Sequence, residues 1–90
     1  MRNNQIMEAL CLINKSLELS DRERFVFALS IANGINGVLS IKEYQSAVEV
    51  ARNHAHSLFE ENFMEEGFKV MNLVNGAEKI LWAASQVSVA

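Results

Sequence analysis

Apolar positions recur at helical spacing along almost the whole chain. Ile6, Leu10, Ile13 and Leu17 share one face of a helix predicted over residues 4–18, with Glu8, Lys15 and Glu18 opposite. Ala9, Cys11 and Leu12 widen that stripe beyond what one neighbouring helix covers, and Cys11 within this run reads as inert packing.

Ser20 and Glu23 have the spacing of a capping box and open a second helix, with Asp21 suited to its positive end. From Phe25 through Val26, Phe27, Ala28, Leu29, Ile31 and Ala32 this helix has almost no polar side. A helix apolar all round is expected at the centre of the core. Asn33-Gly34 is its stop signal. A connector through Gly37 and Leu39 leads to a second capping box, Ser40 with Glu43. In the third helix Tyr44, Ala47, Val48, Ala51, Ala55 and Leu58 form the inner face, and Lys42, Gln45, Glu49, Arg52, Asn53 and His56 the wet one.

The period then slips. Continuing the Tyr44–Leu58 stripe leads to Asn62, Glu65, Glu66 and Lys69, whereas a fresh stripe starts at Phe59 and runs through Phe63, Gly67, Val70 and Val74. Ser57 and Glu60 have capping-box spacing, so the helix is expected to break near Ser57. Asn75-Gly76 reads as the end of a fourth segment, and Ala77, Ile80, Leu81, Ala84 and Val87 as a last short helix. The expected fold is all-α: one domain over residues 1–90, a small irregular or orthogonal bundle of four to five helices around a buried second helix.

Composition sharpens this reading. Ninety residues allow one core, half of them are hydrophobic, and there are four glycines and no proline, so strand punctuation is scarce. The net charge is −3, which argues against a phosphate-binding surface and so against a nucleic-acid partner. Acids and bases balance up to residue 56, and the excess lies beyond it, in Glu60, Glu61, Glu65, Glu66 and Glu78 against Lys69 and Lys79. A single cysteine excludes an internal disulfide, so a reducing, cytoplasmic setting is expected. The longest apolar runs fall far short of the roughly 20 residues of a membrane span, and no signal peptide is expected.

Candidate chemistry is thin. The segment Asn36-Gly37-Val38-Leu39-Ser40-Ile41-Lys42-Glu43 resembles the second half of an EF-hand loop, with the turn glycine and terminal glutamate in register. Ala32 and Gly34 stand where the first acids belong, so the segment reads as a degenerate EF-hand-like connector that does not bind calcium. His54 and His56, two apart, point about 200° away from each other, whereas a helical zinc pair needs i, i+4 spacing. Cys11 has no evident base, and no phosphate loop or nucleophile elbow is present. No catalytic residue, cofactor, metal or small-molecule substrate is expected. A helix–turn–helix DNA reader is the alternative, its only basic cluster being Arg22/Arg24.

The apolar supply exceeds what so small a bundle can hide. The leading expectation is a non-enzymatic protein-interaction module, homodimeric or binding another protein, of the size of bacterial or phage adaptor, chaperone-like or inhibitory proteins. The candidate contact residues are Phe59, Phe63, Met64, Phe68, Met71 and Trp82, with an acidic rim of Glu60, Glu61, Glu65 and Glu66.

Overall fold

The computed structural model describes residues 2–33 and 40–87. These form four helices and no strand: α1 (Arg2–Leu17), α2 (Asp21–Asn33), α3 (Ile41–Glu60) and α4 (Met64–Val87). The connector glycines Gly34 and Gly37, and the tail beyond residue 87, lie outside the described residues.

Two of the three expected capping boxes are present. Ser20 N–H donates to Glu23 Oε1 at 3.0 Å, and Glu23 N–H donates to Ser20 Oγ at 3.3 Å. The same reciprocal pair joins Ser40 and Glu43 at 3.1 and 3.2 Å. Glu43, the terminal glutamate of the calcium-loop resemblance, therefore caps α3.

The third box is not used, and the expected break at Ser57 is corrected. α3 runs on to Glu60 and ends in a Schellman turn, in which Phe63 N–H donates to Leu58 O at 2.8 Å and Asn62 N–H to Phe59 O at 3.0 Å. Asn62 takes the left-handed conformation this turn needs, with φ 68°. Asparagine is the side chain that best tolerates it after glycine. The expected stop at Asn75-Gly76 is also corrected, because α4 is one helix of 24 residues. Gly76 serves close approach: a Cβ there would lie 2.9 Å from Leu17 Cδ2 of α1.

α3 and α4 form an antiparallel hairpin with the most extensive packing in the molecule. α1 lies across both, and α2 rests chiefly on α4. The longest dimension is 41 Å, and α4 alone spans about 36 Å. The core joins Ile13 of α1, Ala28 and Ile31 of α2, Tyr44, Val48, Ala51 and Ala55 of α3, and Val70, Val74, Ala77, Ile80 and Ala84 of α4. At its α1–α3 junction the Ser16 hydroxyl, 2.7 Å from Ile13 O, donates to that carbonyl. Tyr44 OH, 2.6 Å from Ser16 Oγ, is then the donor of that pair. Phe27 meets the Tyr44 ring edge-on with centroids 5.5 Å apart.

The expected central position of the second helix is corrected as well. α2 buries Ala28 and Ile31 but leaves Phe25 57% and Val26 55% exposed. With one main neighbour, α4, it has a buried side and an open side, whatever its composition. The organising helix is α4, which packs against all three others. Cys11 is exposed rather than packed, since the inner face of α1 is Ala9, Ile13 and Ser16 and Cys11 falls opposite.

Candidate protein-contact surface

The buried faces of the hairpin helices are rich in small side chains: Ala51 and Ala55 on α3, and Gly67, Ala77 and Ala84 on α4. Small residues let two helices approach closely, which leaves little volume between them for further large side chains. Tyr44 is enclosed in the core, whereas four large apolar side chains of the candidate set stand outside. Phe63 is 51% exposed, Met64 48%, Phe68 61% and Trp82 67%.

Three of these fall on one line of α4. Met64, Phe68, Met71, Asn75, Glu78 and Trp82 succeed one another in steps of four and three, which keeps them on one side of the helix. The line runs along the edge of the buried face, and Met71, half-buried, packs against the core. Phe59 does the same from α3. Its ring lies against the backbone of Gly67, where a Cβ would be 2.6 Å from Phe59 Cε1, and meets Phe68 edge-on at 5.1 Å between centroids. Phe59 and Met71 thus support the surface from beneath. Phe63 has the register of the buried stripe, but α3 has already ended at Glu60, so no α3 turn lies opposite it.

The candidate residues separate into two stretches. Phe59, Phe63, Met64 and Phe68 gather at the α3–α4 turn. Trp82 lies fourteen residues beyond Phe68, about 21 Å along the helix. Asn75 and Glu78 fill the line between them, both exposed.

The electrostatics of the two stretches differ. Trp82 borders an open groove of about 1030 Å³ between α3 and α4, whose walls include Val48, Val50, Leu81, Lys42 and the trio Glu49, Arg52, Glu78. Arg52 bridges both carboxylates at 2.7 Å, and its pKa is raised, first by the hydrogen bond to Glu78. At the turn, Glu60, Glu61, Glu65 and Glu66 are all exposed, and none of them is in an ion pair. Glu65 and Glu66 occupy the first turn of α4, where the helix dipole favours them. Glu60 and Glu61 end α3, at the negative pole of its dipole, an adverse placement of about 0.3–1 kcal/mol each.

His54 is half-buried and His56 exposed, and no group of three metal-binding side chains occurs among the described residues. Arg24, half of the basic cluster on which a DNA reader would depend, instead donates from Nη2 to Leu17 O at the C-terminus of α1. The spacing of the second and third helices also differs from a helix–turn–helix pair, since α2 hardly touches α3. No helix among the described residues is long and apolar enough to cross a membrane. No protein-family model, curated protein or solved structure matches this chain.

Proposed function

We propose that this chain works by binding protein rather than by catalysis, and that it does so as a homodimer joined at the Trp82 end of the α3–α4 hairpin. The observation that carries the reading is the inversion of side-chain size on α4, with alanine and valine inside and Phe68 and Trp82 outside. Large apolar side chains displaced from a core in this way are what interfaces recruit. Three of the four charged side chains lining the α3–α4 groove, Glu49, Arg52 and Glu78, are paired with one another, which favours a contact surface over a catalytic cleft. Around Trp82, Lys42 and Lys79 accompany Glu49 and Glu78, so the surface carries both signs and can complement itself across a two-fold axis. The single, exposed Cys11 supports a cytoplasmic setting, where a free thiol stays reduced.

Light scattering over a concentration series tests this reading. The parent chain is expected to give twice the monomer mass, and Trp82→Ala the monomer mass with its far-UV helical signal intact. A parent that stays monomeric at every concentration overturns the homodimer. Collapse of the helical signal in Trp82→Ala overturns the assignment of that side chain to a surface.

A further inference from the structure

The α3–α4 turn carries large exposed apolar side chains and charge of one sign. We propose that this end docks a cationic amphipathic helix of a different protein. The inference rests on the protein-binding reading above and names the chemistry of the partner at a second surface, apart from the Trp82 end.

Charge decides between the occupants. Glu60, Glu61, Glu65 and Glu66 are exposed within a few residues of Phe63, Met64 and Phe68 at this turn, against one nearby lysine, Lys69. A second copy docked here by a two-fold axis would set like clusters face to face. An anionic lipid surface or a nucleic-acid backbone is repelled for the same reason. Lysine or arginine flanking an apolar helix face complements both features at once: the apolar face covers the aromatics, and the basic flanks meet the carboxylates. Met64 and Phe68, one turn apart, match the i, i+4 spacing of anchors on such a helix. The flexible Met64 thioether repacks around an incoming side chain, while Phe59 holds Phe68 from below.

The placement of the acids supports the same conclusion. Glu60 and Glu61 oppose the α3 dipole and add to the negative charge of Glu65 and Glu66 a few residues on, so helix formation alone gives no reason for them. Neutralising them should weaken docking without weakening the fold.

The test uses the full chain and a fluorescently labelled leucine–lysine amphipathic peptide about 16 residues long, with its leucine–glutamate counterpart as control. Affinity is read by anisotropy and folding by thermal melting. The lysine peptide is expected to bind and the glutamate peptide not. Glu60→Gln with Glu61→Gln should weaken binding at least about fivefold while Tm holds or rises. Glu8→Gln with Glu18→Gln, the same change of net charge at exposed positions in and just after α1, should weaken it less than about twofold at physiological salt. Phe68→Ser should weaken it about tenfold or more. Equal losses from the two glutamine pairs, binding of the glutamate peptide, no binding at all, or a fall in Tm on neutralising Glu60 and Glu61 each overturn the proposal. The mass of the peptide-free chain is read in parallel. A dimer that ignores the peptide sinks this inference alone, and a monomer that binds it sinks only the homodimer.

Discussion

The two sides of α4 invert the usual order of size. Its inner side is Gly67, Val70, Val74, Ala77, Ile80 and Ala84. Its outer line holds Met64, Phe68 and Trp82. Hydrophobicity alone does not distinguish Val70, Val74 and Ile80 inside from Met64, Phe68 and Trp82 outside. Volume does. Alanine and glycine on the buried faces of the hairpin favour close approach and leave less room for phenylalanine and tryptophan than larger core residues would. Free energy of burial is therefore left unrealised on the outer line, roughly 1.5–3 kcal/mol for each large side chain once covered. A partner surface can recover it.

The sharpest way to break this comparison is to substitute both sides. Val74→Asp places an uncompensated carboxylate in the core, where Val74 is fully buried. An unpaired buried charge costs about 3–5 kcal/mol, against a total near 5–13 kcal/mol for a chain this long. Chemical denaturation should show a strongly lowered midpoint or no cooperative transition. Phe68→Ser, six residues away on the outer line, should lower stability by no more than about 1.5 kcal/mol, through the lost edge-on pair with Phe59. If Phe68→Ser proves as damaging as Val74→Asp, the outer line is core and the contact reading fails.

A second measurement probes the polar part of the interior. Tyr44 is wholly buried, and its hydroxyl donates to Ser16. Tyr44→Phe keeps the ring against Phe27 and removes one buried hydrogen bond, a loss of about 0.5–1.5 kcal/mol near neutral pH. Burial is the main reason the Tyr44 pKa is raised; the Ser16 hydrogen bond and the Arg24 charge act the other way. A raised folded value means the contribution is complete below the ordinary tyrosine pKa and is lost as pH climbs past it towards the raised one. Tyr44 is the only tyrosine. The parent should therefore lose its advantage over Tyr44→Phe above about pH 10, as seen in paired melting curves. A constant difference between the two across that range would place the phenol in contact with water.

Much of this fold can be read from residue pattern alone, and the misreadings share one cause. The Ser20 and Ser40 boxes and the α3 inner face from Tyr44 to Leu58 are local features, set by residues three or four apart, and they stand as expected. Ser57 and Glu60 have the same local spacing, yet the α3 stripe buried against α4 carries the helix past them. Gly76 resembles a stop for the same local reason, although the buried stripe Gly67, Val70, Val74, Ala77 and Ala84 continues across it in steady steps of three and four or their sum. That continuity was the available signal that α4 is one helix. Asn62, which turns the chain, had only its tolerance of positive φ to mark it. The apolar surplus and the acidic segment are visible in composition. The separation of Trp82 from the aromatic turn is not, because it depends on α4 being unbroken. The outward face of α2 depends on how many neighbours it finds, which no local pattern records.

The finest comparison sets two glycines of α4 against each other. Both lie within the helix, where alanine is intrinsically favoured by about 1 kcal/mol, and both face a side chain too close for a Cβ. At Gly76 the obstacle is the methyl tip of Leu17, which a small rotation can move aside. Gly76→Ala should therefore raise stability by about 0.5 kcal/mol. At Gly67 the obstacle is the flat ring of Phe59, which also meets Phe68 edge-on. A ring held at that edge cannot swing without disturbing the pair, so Gly67→Ala should lower stability by up to about 1 kcal/mol. Denaturant midpoints at constant slope would resolve the opposite signs. If both substitutions stabilise, the Phe59 ring swings freely, and Phe68 loses the support that makes the turn a preformed docking surface. Opposite signs mean that the glycine at the turn is kept for the aromatic pair it accommodates, at some expense to its own helix.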